Sequence, residues 1–292
     1  MKLTDELYEL GFKMYPKESS LSVDELYVLS IKRMVVSDDY LNVFFENIKK
    51  AKIAGINIAS IIDYRLIPNS SYRDENSKKK YSAVMLLMDR VKGNKFELDC
   101  LDFDYVLSSN LSYEIDKYLK LINEYIQELE KRANANQDVY DKLVRDCLEL
   151  TNFELEIDPT PSNYYFDENV GFTITNVVPK MNNIDLKTSK SFVNYIYFIV
   201  YGYGAPVIYI DKIFYKKIPQ DYLYRLLKCY EEIDEKLTKA LKKYGFYKYF
   251  IDSIFGELNS KYHRTILDSA EYESIKNDLV QFNKIDLISR KK

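Results

Sequence analysis

The chain is poor in the residues that carry most hydrolytic and structural-metal chemistry. Its 292 residues include one histidine, His263, and three cysteines, Cys100, Cys147 and Cys229. A lone histidine in a mixed helical stretch is typical of a surface or core residue. A single histidine excludes metal sites built from several histidines. It also excludes Ser-His-Asp triads and Cys-His dyads at any place in the chain away from His263. The cysteines are widely spaced and form no CxxC, so the sequence predicts neither a disulfide framework nor a structural zinc site.

Charge of one sign is also lacking. The formal net charge is −3, and basic residues alternate with acidic ones. A protein that neutralises a phosphate backbone needs a basic patch, so we expect no nucleic-acid partner. The opening MKLTDELYEL carries acids where a secretory signal has an apolar core. Together with the unpaired cysteines, this predicts a cytoplasmic protein.

One long uncharged run, residues 192–210, approaches the length of a membrane-spanning helix. It contains five tyrosines together with Asn194, Gly202, Gly204 and Pro206. These residues would put polar groups and helix breakers at the depth of the bilayer centre. The run therefore predicts a buried core segment, and we expect no membrane partner.

The first hundred residues read as strands with one helix. Residues 25–36 are apolar and β-branched, and residues 61–67 and 81–89 have the same character. Between the first and second of these runs, Leu41, Phe44, Phe45 and Ile48 recur at helical spacing before Gly55. The pattern predicts a small antiparallel sheet with a helix inserted in it.

From about residue 111 the pattern becomes helical. Residues 112–132, 137–151 and 221–245 have the periodicity of amphipathic helices, and residues 163–177 read as a hairpin with its turn at 167–171. The sequence thus predicts an α+β protein of two lobes. A sheet lobe over residues 1–90 is joined by a short connector to a helical lobe over residues 91–292, and the cleft between lobes could hold a ligand.

Several residues in this order resemble the protein-kinase-like superfamily, which includes protein kinases and small-molecule kinases of the aminoglycoside-phosphotransferase type. The strand sequence Leu-Ser-Ile-Lys ending at Lys32 resembles the V-A-I-K strand, whose lysine holds the α and β phosphates of ATP. Glu46 on the next helix is the candidate acid that pairs with Lys32. The stretch LMDRVKG, with Asp89 and Val91, resembles the hinge that meets the adenine.

The resemblance continues beyond the second long helix. Asp158 and Asn163 have the D-x-x-x-x-N spacing of the catalytic loop, in which the acid accepts or orients the hydroxyl proton and the amide reaches a magnesium ion. Asn176 stands where the D-F-G motif has its aspartate. The resemblance therefore implies a bilobal fold with a small antiparallel-sheet N-lobe and a mainly helical C-lobe, with ATP and magnesium as cofactors.

Three departures weaken the implied activity. Glu156-Ile157-Asp158 replaces H-R-D or H-G-D, and no G-x-G precedes Lys32. Most seriously, Asn176 brings an amide where magnesium favours a carboxylate, so Asn163 and Asn176 would offer the metal two neutral ligands. The resemblance then implies a pseudokinase, or an atypical ATP-dependent phosphotransferase with weakened magnesium binding. The acceptor that the resemblance implies is a small molecule or a protein.

The same residues can also be interpreted without the family resemblance. Lys32 taken alone could solvate an edge strand, Glu46 a helix face, and Asp158-Pro159 a turn. The chain would then be a non-catalytic interaction or scaffold protein of mixed α+β fold that binds a protein partner. Its 28 tyrosines would serve packing and surface recognition. The two readings differ in whether Lys32 and Glu46 meet.

Overall fold

The computed structural model describes residues 20–22, 27–34, 38–67, 72–73, 80–95, 112–157, 164–180, 190–201 and 219–246. The chain divides into two compact units. Unit 1 comprises Met1–Gly93, Asp146–Asp158 and Phe172–Asn183, and unit 2 comprises Asn94–Arg145, Pro159–Gly171 and Ile184–Lys292. The described parts are mixed α+β, as expected. The predicted lobes, 1–90 and 91–292, stay a prediction.

Unit 1 contains an antiparallel sheet. Its strands are β1 (Ser20–Ser22), β2 (Tyr27–Met34), β3 (Ile61–Leu66), β4 (Tyr72–Arg73) and β5 (Lys80–Asp89). Their order is β1-β2-β5-β3, and β4 also pairs with β5. The central strand β5 is apolar throughout its middle, and its residues from Val84 to Met88 are buried. Such a run is typical of a strand covered on both faces.

Helix α1 (Asp38–Ile53) packs against this sheet. Its buried residues recur every three or four positions: Leu41, Phe44, Phe45, Ile48 and Ala51. The ring of Phe45 stacks on Tyr64 of β3 with 3.9 Å between centroids. The helix ends at Gly55, whose φ of 90° lies in the left-handed region that glycine adopts without steric cost. The sequence-based prediction of this helix is confirmed.

A second ladder completes unit 1. A 3-10 turn (Thr151–Phe153) leads into β7 (Leu155–Ile157), which pairs antiparallel with β10 (Val177–Pro179). The backbone N–H of Lys180 extends this contact by donating to the carbonyl of Glu154 at 2.9 Å. In unit 2, β6 (Asn94–Lys95) pairs antiparallel with β8 (Tyr164–Asp167), and β9 (Gly171–Ile174) follows β8 after the hairpin turn.

The helices after residue 111 are α2 (Ser112–Asn134), α3 (Gln137–Leu150), α4 (Lys190–Tyr201) and α5 (Gln220–Lys243). Within unit 2, α2 packs along α5, and the buried positions of α4 include Phe192, Val193 and Ile196. The ring of Phe192 stacks on Phe246, 4.8 Å away. The described part of the long uncharged run is thus a buried helix, as expected. Among the described residues, no helix is long and apolar enough to cross a membrane.

The predicted strands, helices and hairpin of the described regions are confirmed within one to three residues at each end. The hairpin turn is stabilised by Asp167, whose Oδ1 accepts the backbone N–H groups of Asn169 and Val170 at 2.8 and 3.0 Å. Gly171 follows with a φ of 82°. The sequence indicated this turn, because an Asp side chain can accept hydrogen bonds from nearby backbone N–H groups and Gly can adopt a positive φ.

Candidate functional site

Asn57, in the loop after α1, joins three separate segments of unit 1. Its backbone N–H donates to Oδ2 of Asp146 at 3.0 Å. Its side-chain Nδ2 donates to the carbonyl of Phe172 at 2.8 Å and to Oγ1 of Thr173 at 3.0 Å. Asp146 and Thr173 are both buried. We call these four residues the Asn57 junction.

Backbone hydrogen bonds reinforce the Asn57 junction. The N–H of Ile174 donates to the carbonyl of Asn57 at 2.9 Å, and the N–H of Ala59 donates to the carbonyl of Ile174 at 2.8 Å. Ile58 and Ile174 thereby form a parallel bridge. Because a buried polar group without a partner is costly, this saturated set of bonds fixes the end of β9 relative to the loop after α1.

The fixed strand leads directly to Asn176, the predicted metal ligand. Asn176 lies two residues beyond Ile174 and immediately before β10, whose Val177 pairs with Ile157 of β7. Asp158, the predicted base, lies outside the described residues, but it is bonded to Ile157. Asn163 also lies outside the described residues.

The β2–β5 ladder relates the remaining predicted residues. Lys32 of β2 lies opposite Val84, and Tyr27 lies opposite Asp89 at the far end of β5. Leu66 of β3 also pairs with Val84, so the position of Lys32 is on the same sheet face as Leu66 and Tyr64. Helix α1 packs on this face, through the contact of Phe45 with Tyr64. Asp89 is exposed and Val91 is partly buried. The backbone N–H of Asp89 donates a hydrogen bond to the backbone carbonyl of Ser60.

Glu46 lies on the solvent side of α1. Its Oε1 accepts a hydrogen bond from Nζ of Lys49 at 2.7 Å, and this bond lowers the pKa of Glu46 below its ordinary value. Both side chains are more than half exposed. The side chain of Lys32 lies outside the description, and the pairing of Glu46 with Lys32 stays a prediction.

Glu156 of β7 carries a buried oxygen that the sequence did not single out. Its Oε1 is buried and has no hydrogen-bond partner among the described residues. Glu156 pairs with Val178 of β10. Asn176 lies two residues before Val178, directly before β10 begins, so an extended continuation of β10 would put Glu156 and Asn176 on the same face.

The Asn57 junction was also missed from the sequence, and only one of its members left a signal there. Asp146 interrupts the apolar face of α3, between Leu143 and Leu150. An acid at a core position of an amphipathic helix indicates a buried hydrogen-bond partner. Asn57 leaves no comparable signal, because an asparagine after a helix-ending glycine is ordinary loop composition.

A second buried polar cluster lies in unit 2. Tyr201 donates from its hydroxyl to Oδ1 of Asp234 at 2.5 Å, and the hydroxyl of Tyr125 donates to the carbonyl of Tyr201 at 3.0 Å. The Tyr125 and Tyr230 hydroxyls are 3.1 Å apart. Burial raises the pKa of Asp234 to about 6, although the bond from Tyr201 opposes the shift.

Arg132, on the same helix as Tyr125, is fully buried. Its Nη1 donates to the carbonyl of Val200 at 2.6 Å, and its guanidinium lies 5.4 Å from the centre of the Phe166 ring. Burial lowers its pKa to about 10. Tyr140 donates in turn to the carbonyl of Arg132 at 2.6 Å. The cationic side chain thus acts as an internal tie between α2 and the end of α4.

The solved structures to which this chain is similar include two phosphate-transferring enzymes. An amicoumacin kinase in complex with AMP-PNP and Ca²⁺ is 12% identical, covers 95% of this chain and 92% of its own, and has a TM-score of 0.28. An aminoglycoside phosphotransferase from Alicyclobacillus acidocaldarius is 11% identical, covers 91% and 92%, and has a TM-score of 0.24. No family model matches the chain, and no curated protein matches it. Similarities with TM-scores below 0.5 establish neither fold nor activity.

Proposed function

We propose that the chain is a kinase-like protein that binds ATP through residues of unit 1, either as a pseudokinase or as a slow phosphotransferase. The β7–β10 ladder is the observation that carries the proposal. It pairs Ile157 with Val177. The resemblance assigns the base to Asp158, the residue after Ile157, and the metal ligand to Asn176, the residue before Val177.

The sheet order supports the same proposal. β2, with Lys32, lies beside β5, which runs into the predicted hinge at Asp89 and Val91. Lys32 and Asp89 are separated by five register positions, on the order of 17 Å along the strands. An extended nucleotide with its adenine near the hinge could therefore direct its phosphates toward Lys32. We assign Lys32 to the α and β phosphates and the hinge backbone to the adenine.

The residues near Asn176 fit a magnesium ion. Magnesium prefers hard oxygen ligands, usually one or two carboxylates together with phosphate oxygens. Asn176 would supply an amide oxygen, and Glu156 has a buried carboxylate oxygen without a hydrogen-bond partner among the described residues. Asn163, the other ligand that the resemblance implies, lies outside the described residues. When bound, the ion would neutralise charge on the phosphates. We expect its affinity to be weaker than in a site with the D-F-G aspartate.

In an active form, Asp158 would accept the proton of the acceptor hydroxyl. The acceptor oxygen would form a bond to the γ-phosphorus while the bond to the β–γ bridging oxygen breaks, and ADP would leave. Glu46 would orient Lys32, which requires its carboxylate to exchange Lys49 for Lys32. We expect the acceptor to be a small molecule or a protein. In a pseudokinase the same residues would hold the nucleotide without transfer.

The test is calorimetric titration with ATP, once in excess magnesium and once in a chelator. Lys32→Ala should weaken binding in both, whereas Arg33→Ala, at the neighbouring position on the opposite sheet face, should not. Asp158→Ala should abolish any ADP production and leave ATP affinity nearly intact, with Glu168→Ala in the exposed hairpin turn as its control.

Each outcome selects one reading. Magnesium-dependent binding with ADP production indicates a phosphotransferase, and binding without production indicates a pseudokinase. If the wild-type chain binds no ATP under either condition, the kinase-like proposal is wrong. The non-catalytic interaction protein is then the remaining reading.

A further inference from the structure

The buried carboxylate oxygen of Glu156 has a consequence for the proposed metal site. A carboxylate oxygen removed from water without a hydrogen-bond donor or a cation is unfavourable by several kcal/mol. Among the described residues none donates to Oε1 of Glu156. The side chain is only partly buried as a whole, so the acid is held at a boundary between core and solvent.

The position of Glu156 relative to Asn176 would allow both side chains to bind the same cation. Glu156 pairs with Val178, and Asn176 would be its diagonal neighbour on the same face if the ladder continued one residue beyond Val177. Such neighbours have Cα atoms on the order of 7–8 Å apart, within reach of one ion held between two side chains. The Asn57 junction fixes the end of β9 at Ile174, two residues before Asn176.

We propose that Glu156 supplies the carboxylate ligand that Asn176 lacks, so that a divalent metal is held by Glu156 and Asn176 together. The inference rests on the proposed function and concerns the charge of its metal site. A carboxylate with an amide restores the one negative charge that is lost when asparagine replaces aspartate. The ligand class is a hard divalent cation such as Mg²⁺ or Mn²⁺.

The test measures Mn²⁺ binding to the full chain by calorimetry, with AMP-PNP and without it. Glu156→Gln removes the charge and keeps the shape, and should weaken Mn²⁺ binding roughly 10- to 100-fold. The matched control is Glu154→Gln, an exposed acid two residues earlier, which should change binding by less than about twofold. Adding Asn176→Asp to Glu156→Gln should restore the affinity, because it returns the carboxylate to the other ligand position.

Thermal unfolding gives a second measurement that does not depend on activity. In a chelator, Glu156→Gln should unfold at a higher temperature than the wild type, because a neutral amide is less costly than a carboxylate when one of its polar atoms is buried without a partner. With Mn²⁺ and AMP-PNP, the wild type should gain stability and the variant should not.

Three failures can be told apart. If the wild type binds Mn²⁺ and Glu156→Gln binds it equally well, the role of Glu156 is wrong while the metal-dependent function stands. If Glu156→Gln is less stable than the wild type in chelator and Asn176→Asp does not rescue it, Glu156 is a structural residue and the inference also fails. If the wild type binds no Mn²⁺ in either condition, the metal site itself is wrong, and with it the metal-dependent form of the proposed function.

Discussion

Replacing Asn57 by alanine removes both side-chain hydrogen bonds of the Asn57 junction. The carbonyl of Phe172 and the hydroxyl of Thr173 lose their Nδ2 donor, while the backbone bond from Asn57 to Asp146 is unaffected. A protein hydrogen bond contributes about 1 kcal/mol, and an acceptor left buried without a donor adds to the loss. We therefore expect the free energy of unfolding to fall by about 2–3 kcal/mol.

Asn57→Asp sharpens this prediction. The new carboxylate would replace the Nδ2 donor that now lies 2.8 Å from the carbonyl oxygen of Phe172, so two acceptors would face each other. Asp146, whose carboxylate accepts the backbone N–H of the same residue, adds like-charge repulsion. The nearly isosteric Asn57→Asp should therefore be more destabilising than the truncation to alanine.

The assay is urea unfolding at neutral pH, followed by hydrogen exchange of the Ala59 and Ile174 amides, whose bonds span the junction. Both amides should exchange faster in the two variants. Asn152→Ala, an exposed asparagine in the 3-10 turn, is the control and should change stability by less than about 0.5 kcal/mol. The reasoning is refuted if Asn57→Ala is as stable as this control, or if Asn57→Asp is more stable than Asn57→Ala.

Two further predictions concern unit 2. Because burial raises the pKa of Asp234 from 3.8 to about 6, the folded state binds this proton more tightly than the unfolded state, so stability should fall by about 1–3 kcal/mol as pH rises from 4 to 6. Asp234→Asn should remove that slope in urea unfolding, and the exposed neighbour Glu235→Gln should retain it; an unchanged slope in Asp234→Asn would contradict the assignment. Gly171→Ala should cost about 1–3 kcal/mol, because φ is 82° and the added Cβ would lie 3.1 Å from Cγ1 of Val139. Thermal unfolding of Gly171→Ala, alone and with Val139→Ala, separates the two causes: the double variant should recover only the part due to the contact, and full recovery would exclude backbone strain.

Local elements were predictable where one periodicity dominates. Helix α1 follows from the spacing of Leu41, Phe44, Phe45 and Ile48 and from Gly55, and the structure confirms it. The same spacing indicates the exposed side of the helix: Glu46 is two residues from Phe44, about 200° around the axis. The helical spacing therefore indicates that Glu46 lies away from the buried face, whereas the family resemblance assigned Glu46 a role because of its charge.

Contacts between distant segments were not predictable from local pattern. Asn57 and Asp146 are 89 residues apart, and no spacing rule relates them. The position of β5 between β2 and β3 depends on which edges remain open after folding, which local propensity does not encode. The orphaned oxygen of Glu156 is visible only in three dimensions, because burial of one atom depends on everything packed around it.

The composition of unit 1 from separated segments has a consequence for synthesis on the ribosome. The sheet of residues up to Gly93 acquires its remaining partners, Asp146–Asp158 and Phe172–Asn183, only after about 90 further residues have been added. At roughly 5–20 residues per second, this takes about 5–18 seconds. During that interval the buried side of α1 and the loop at Asn57 lack the strands that later cover them. A nascent chain paused between these segments should therefore expose this surface of unit 1 to chaperones, and one paused after residue 183 should no longer expose it.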